Sequence, residues 1–196
     1  MKFSKQALIP LLLGAGLIAA LLNQSKFSNL GSALANSQNK PVNGAMSEQI
    51  TIATVKDGDT VKLSDGRDIR FCGIDAPETA KRGKPGQPGG EESKQYLEAL
   101  VNKANGKGSI TVIDTDRYGR TVAEITLRIP DLPGGEVNVN SEMIASGNAF
   151  FYKQYSNCPN AKSFETAEGR AKQKKLGIFA SEGFEKPWDF RKRLRG

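Results

Sequence analysis

The chain contains no histidine among its 196 residues. That absence removes Ser-His-Asp and Cys-His nucleophilic schemes, histidine-ligated zinc and histidine general bases together. Cysteine is nearly as scarce: Cys72 and Cys158 lie too far apart for a zinc motif and lack C-x-x-C spacing. They are either buried thiols or one disulfide. No internal repeat is present, and one uncharged apolar run, Ala7–Leu22, stands out from a sequence whose mean hydropathy is −0.44. The length suits one domain with a real core and is short for two.

The net charge of +7 points toward a nucleic-acid partner, but its distribution argues for local patches. Lys2, Lys5 and Lys26 stand in residues 1–35 without an acid, Arg191, Lys192, Arg193 and Arg195 close the chain, and the body between is about neutral. Ala7–Leu22 holds 16 residues. As a helix it would span about 24 Å, short of a hydrocarbon core of about 30 Å and slightly longer than a usual signal-peptide core. Ala33-Leu34-Ala35 resembles a signal-peptidase site. Residues 1–35 are therefore expected to be a cleaved signal peptide or a retained membrane anchor. The N-terminal lysines would leave the body outside the cytoplasm, secreted, periplasmic or tethered to the membrane. An oxidising compartment favours a Cys72–Cys158 disulfide over two unlinked thiols.

Residues 36–47, rich in Asn, Ser, Pro and Gly, read as a flexible linker. Structure is expected over residues 48–182, followed by a basic tail over 183–196 that reads as a solvated end or a nonspecific electrostatic contact. Ile50–Val55, Thr60–Leu63 and Ile69–Ile74 have strand character and are separated by the turn signatures Asp57-Gly58 and Asp65-Gly66. Ala80–Gly90, rich in glycine, proline and basic residues, can be neither helix nor strand. Glu91 and Glu92 open a helix, with Tyr96, Leu97, Leu100 and Val101 at helical spacing. Ser109–Ile113 and Thr121–Ile129 read as two further strands flanking the polar turn Asp114–Arg120. Helices are expected at about Asn140–Ser146 and Ala161–Lys175, the last with Gly177 as its C′ residue. Five strands with a helix between the third and fourth is the element order of an OB-type barrel.

The chemistry is concentrated in Asp57-Gly-Asp59-Thr60 and Arg70-Phe-Cys-Gly-Ile-Asp75-Ala-Pro-Glu78-Thr79. Carboxylates at the ends of consecutive strands can meet at one end of a meander and offer hard oxygens to a divalent cation. Asp57 is better explained by the Asp-Gly turn. Singly, Asp75 suits an Asx turn and Glu78 a solvated loop. Arg70 differs, because a charge inside an apolar strand is costly unless paired or functional. Arg120, at the tip Asp116-Arg117-Tyr118-Gly119, is either a solvated turn residue or a bidentate phosphate partner. Arg117, Lys81, Arg82 and Lys84 could meet flanking phosphates, and Tyr118 and Tyr152 could stack on bases.

Together, Asp57-Gly-Asp59-Thr60, Arg70-x4-Asp75-x-Pro77-Glu78-Thr79 and Asp116-x-Tyr118-Gly119-Arg120 resemble the thermonuclease (staphylococcal-nuclease-like) family. The likeness continues through Gly147-Asn-Ala-Phe-Phe-Tyr152-Lys153 and Lys175-Leu-Gly-Ile-Phe179 and covers about residues 48–180. The resemblance implies an α+β fold, a five-stranded antiparallel Greek-key OB barrel with three helices, and Ca²⁺-dependent hydrolysis of DNA and RNA. It implies that Asp59, Asp75 and the Ala76 carbonyl bind Ca²⁺, that Arg70, Glu78 and Arg120 are catalytic, and that Arg117, Tyr118 and Tyr152 line the nucleotide site. The expected substrate is single-stranded or unpaired nucleic acid, cut to 3′-phosphate ends by a monomer. Ala76 stands where the family archetype has threonine, and Phe150 where it has a tyrosine. The rival from another class is a noncatalytic OB module that binds nucleic acid or protein, which would not need Arg70, Asp75, Glu78 and Arg120 together.

Overall fold

The computed structural model describes residues 47–130 and 134–196. The leader expected over 1–35 and the linker over 36–47, apart from Ser47, lie outside the described residues. Among those that are described, no helix is long and apolar enough to cross a membrane.

Three strands joined by tight turns begin the domain: β1 (Glu48–Asp57), β2 (Thr60–Leu63) and β3 (Asp68–Phe71). Their inward positions carry Ile50, Ile52, Val61, Leu63 and Ile69, and polar residues alternate outward, the period-two pattern of a sheet with one buried face. The strand expected over Ile69–Ile74 stops at Phe71 and resumes as β4 (Ile74–Asp75). Gly73 makes the break, with φ at 70°, and a Cβ there would press on the Cys158 sulfur and the Phe164 ring. The chain therefore turns, and β4 pairs with β8 (Phe150–Phe151) instead of continuing along β2.

Helix α1 (Gly90–Lys103) follows the Gly/Pro loop and buries Leu97, Leu100 and Val101. Strands β5 (Lys107–Thr115) and β6 (Thr121–Arg128) form the long hairpin whose tip is Asp116–Arg120. β1 pairs with β2 and β5, β2 with β3, and β5 with β6, all antiparallel; a parallel pairing of β3 with β6 closes the ring. These five strands are an OB barrel of the expected α+β class. Short β7 (Glu136–Asn138) pairs antiparallel with the end of β6. Helices α2 (Val139–Ala145) and α3 (Ala161–Gln173) pack beside the barrel, with Met143, Ile144 and Phe164 fully buried.

Two expectations change. Three helices become four, because the tail, expected to be solvated, contains α4 (Pro187–Arg193), with Pro187 at the first helical turn. The C′ residue of α3 is Lys175, not Gly177. Lys175 has φ at 53°, its N–H donates to Lys172 O at 3.1 Å, and Leu176 N–H donates to Ala171 O at 3.0 Å, a Schellman end. Gly177 serves another purpose. It crosses Gly147 so closely that a Cβ on either would collide with the other segment's backbone, and Ile178 N–H donates to Gly147 O at 2.9 Å.

The Cys72–Cys158 disulfide is formed, and it ties the end of β3 to the segment entering α3 across 86 residues. Beside it, Asn140 of α2 is completely buried. Its carbonyl oxygen accepts from Ile125 N–H at 3.1 Å, and its amide donates to Cys72 O at 2.9 Å and Ala123 O at 3.2 Å. A single side chain thus ties α2, β6 and the turn after β3 together.

Candidate active site

The β2–β3 register opposes Thr60 to Arg70, which brings Asp59 beside the Arg70 side chain. The Gly73 turn then folds Asp75 back toward the same guanidinium. Arg70 forms an ion pair with Asp59 through one terminal nitrogen; the other donates to Asp75 Oδ1 at 2.7 Å and to Ile74 O at 3.2 Å. The second Asp59 oxygen accepts from Ala76 N–H at 2.8 Å, and the first from Thr60 Oγ1 at 3.0 Å. Asp75 is fully buried and Asp59 nearly so. A charge inside an apolar strand is tolerated here because two buried carboxylates flank it, and each acid is in turn held by a fork or a backbone N–H.

Asp57 plays the turn role expected of it: its Oδ1 accepts from Asp59 N–H at 3.3 Å. Lys81 lies 3.3 Å from Asp57 and 3.9 Å from Glu78, so one cation of the Gly/Pro loop reaches the rim of the site.

Arg191 of α4 enters the same cluster and was not anticipated from the sequence. One of its terminal nitrogens donates to Asp75 Oδ1 at 3.0 Å and Glu78 Oε1 at 2.6 Å, and the other to Asp75 Oδ2 at 2.7 Å. Burial opposes the charge on Arg191, but hydrogen bonds and attraction from Asp75, then Glu78, outweigh it and lift the guanidinium pKa above its ordinary value. The only hint in the sequence was Pro187-Trp188-Asp189-Phe190, a helix start carrying two large aromatics inside a tail that otherwise reads as basic.

Tyr152 lies against this tail. Its ring stacks on Trp188 with centroids 4.6 Å apart and planes 6° apart. Burial first, and the nearby Asp75 charge second, push its phenol pKa upward. Phe150, the departure from the archetype, packs among Phe179, Phe184 and Trp188 with centroids at 5.2, 6.0 and 5.9 Å.

Arg117, Tyr118 and Arg120 form a separate group at the β5–β6 tip. Arg120 is held within its own hairpin, with Nε and a terminal nitrogen both 2.7 Å from Asp116 Oδ2. Burial works against the Asp116 charge, but hydrogen bonds from Arg120 and Tyr118 N–H overcome it and hold the carboxyl below its usual range. Tyr118 is 68% exposed, receives a hydrogen bond from Arg117 at 2.7 Å and lies under both guanidinium groups. The fold thus brings Asp59, Arg70, Asp75, Ala76 and Glu78 together, places Tyr152 at their edge, and leaves the Arg117–Arg120 tip bonded to none of the three acids among the described residues.

The donor chemistry suits a hard divalent cation: Asp59 and Asp75 offer carboxylate oxygens beside the Ala76 backbone, and carbonyls and water complete such shells. Among the described residues no three acidic side chains gather closely enough to enclose an ion by themselves. Arg70 and Arg191 occupy the space between them.

The pattern of the family described as Staphylococcal nuclease homologue matches residues 68–181, more than half of the chain. A protein named micrococcal nuclease from Shigella flexneri is 29% identical over 147 residues, covering 72% of this chain and 79% of that one. A protein described as an uncharacterized endonuclease from Escherichia coli O157:H7 is 32% identical over 145 residues, covering 72% of this chain and 84% of its own. Endonuclease Htp3 of Saprolegnia parasitica is 28% identical over 162 residues, with 72% and 74% covered. With the barrel, the acid–arginine cluster and the matched span in agreement, the chain belongs to the staphylococcal nuclease homologue family.

Proposed function

We propose that this protein is an endonuclease that hydrolyses phosphodiester bonds of DNA and RNA without reading sequence, and that it depends on Ca²⁺ held by Asp59, Asp75 and the Ala76 carbonyl. The observation that carries the reading is the meeting of Asp59, Arg70, Asp75 and Glu78 at one end of the barrel. A hydrophobic core has no use for these charges, and the relatives named as nucleases support the reaction class.

When bound, the ion supplies Lewis acidity and a template for a phosphoryl oxygen. Glu78, at the rim of the cluster, takes the proton of the attacking water or orients that water. Arg70, locked by Asp59 and Asp75, and Arg120, preset by Asp116, neutralise charge developing on the phosphoryl and leaving oxygens. Arg117 contacts phosphate, while Tyr118 and Tyr152 offer ring faces, which favours single-stranded or unpaired substrate because its bases are free to stack. By family likeness the 5′ P–O bond breaks and 3′-phosphate ends result. The Cys72–Cys158 bond, with the apolar segment at 7–22, supports export to an oxidising compartment, with the leader cleaved or kept as an anchor and the enzyme acting as a monomer.

The test is cleavage of denatured DNA and of RNA by the full chain, with Ca²⁺ and with chelator, followed by end-group analysis. Calcium-dependent cutting to 3′-phosphate ends is expected, and cutting that continues unchanged in chelator overturns the ion's role. Glu78→Gln should lower the rate by about 10²–10⁴ at unchanged fold. A near-wild-type rate removes Glu78 from the chemistry.

A further inference from the structure

The tail presents the site with imitations of its two proposed visitors. The Trp188 indole lies flat on Tyr152, as a base would, and the Arg191 guanidinium lies on Asp75 and Glu78, as a cation would. Each carboxylate oxygen has about two lone pairs. Asp75 Oδ1 already accepts from Arg70 at 2.7 Å and Arg191 at 3.0 Å, and Oδ2 accepts from Arg191 at 2.7 Å. A calcium ion needs its oxygens at about 2.3–2.6 Å. Seated on Asp75, it would meet a guanidinium bonded to the same two atoms, so a second positive charge would stand within a few ångströms.

We propose that Arg191 is a residue of the ion site, a resident counter-charge that competes with the divalent cation for Asp75 and Glu78, so that ion binding requires α4 to lift. The inference rests on the calcium reading above. The attachment of α4 is suited to release. Phe190 and Pro187 are its buried residues, whereas Lys192, Arg193, Leu194 and Arg195 face solvent. Lifting would also uncover Tyr152. Ion entry and access to the base-stacking face would then be one event, and the enzyme would hold its acids neutralised by its own chain until calcium displaces the guanidinium. The substitution of phenylalanine at position 150 fits this arrangement, since the ring forms part of the apolar seat for Trp188 and Phe184.

Trp188 is the sole tryptophan of the chain and reports directly on α4. The experiment is titration of the full-length protein with Ca²⁺ alone, without substrate, following heat by calorimetry and Trp188 emission. Wild type should bind with a red shift as the indole leaves Tyr152. Arg191→Gln should bind calcium on the order of ten-fold more tightly, because a charge-assisted fork no longer opposes the ion. Lys192→Gln, which removes the same charge from an exposed neighbour, should stay within about two-fold of wild type, as a screened surface charge does. Equal or weaker affinity in Arg191→Gln overturns the proposal while leaving the calcium reading standing, and so does a wild-type emission that ignores saturating ion. Heat-silent titrations of both wild type and Arg191→Gln overturn both. If Arg191→Gln does not fold, Phe190→Ala, which loosens α4 without touching an ion ligand, decides in its place: tighter binding supports the competition and unchanged binding refutes it.

Discussion

Arg70 shows how much one side chain organises. Its planar fork reaches Asp59 through one terminal nitrogen and Asp75 and the Ile74 carbonyl through the other, a spread that the compact charge of an ammonium does not match. Arg70→Lys keeps the charge and loses the geometry. A fall in cleavage rate of about 10²-fold or more is expected, with a smaller change in melting temperature than Arg70→Ala causes by taking the cation from buried Asp59 while Asp75 keeps Arg191. Paired kinetics and thermal melts of the two variants measure this. Away from the site, Tyr96 donates to Glu142 at 2.6 Å; burial first, and that carboxylate second, push its pKa up to about 12 from 10.0. The folded state therefore holds the phenol proton more tightly than the unfolded chain. This contribution to stability is complete below pH 10 and disappears as pH rises toward 12. Urea midpoints across that range should fall in wild type and fall less steeply in Tyr96→Phe.

At the scale of elements, the long periodic segments could be read from the sequence. The helix expected from Glu91 is α1, and those expected at Asn140–Ser146 and Ala161–Lys175 appear within two residues as α2 and α3. What could not be read was what each glycine and asparagine does across the fold. Gly177 resembles a helix terminator in one dimension but is a crossing point with Gly147 in three. Asn140 resembles an ordinary residue of a short helix, yet its buried amide supplies three hydrogen bonds to two other elements. Asn140→Ala should cost about 2–4 kcal/mol by urea unfolding, because backbone groups left unpaired in the core bear their full desolvation cost. It should also loosen β4, and activity should fall below what the lost stability explains.

At the scale of the whole molecule, the disulfide and the tail make connections that local patterns cannot reveal. Cys72–Cys158 closes 86 residues and pins the α3 side of the molecule to the end of β3. Replacing both cysteines by alanine should lower stability by about 2–5 kcal/mol. Equilibrium denaturation with and without reductant checks this, since reductant should shift the wild type and leave the double variant unchanged. Arg191, Lys192, Arg193 and Arg195 in the tail match the whole excess of positive charge after residue 35, and the tail was expected to be a solvated end or a nonspecific electrostatic contact. One of its arginines is instead consumed in the acid cluster, so less positive surface is free for nucleic acid than the net charge of +7 suggests.

The sequence by itself determined the absence of histidine, the order of strands and helices, and the family motifs that contain Asp59, Arg70, Asp75, Glu78 and Arg120. Hydrophobic period, turn residues and motif spacing are local properties and survive in one dimension. Only the tertiary structure decided that β3 breaks at Gly73 so that Asp75 turns back to Arg70, that the Arg120 hairpin stays tied to Asp116, and that Arg191 reaches Asp75 and Glu78 from more than a hundred residues away. The physical reason is that buried charge must find a partner wherever the fold offers one. Which partner comes within hydrogen-bonding distance is set by how the elements pack against each other, and local sequence does not encode that.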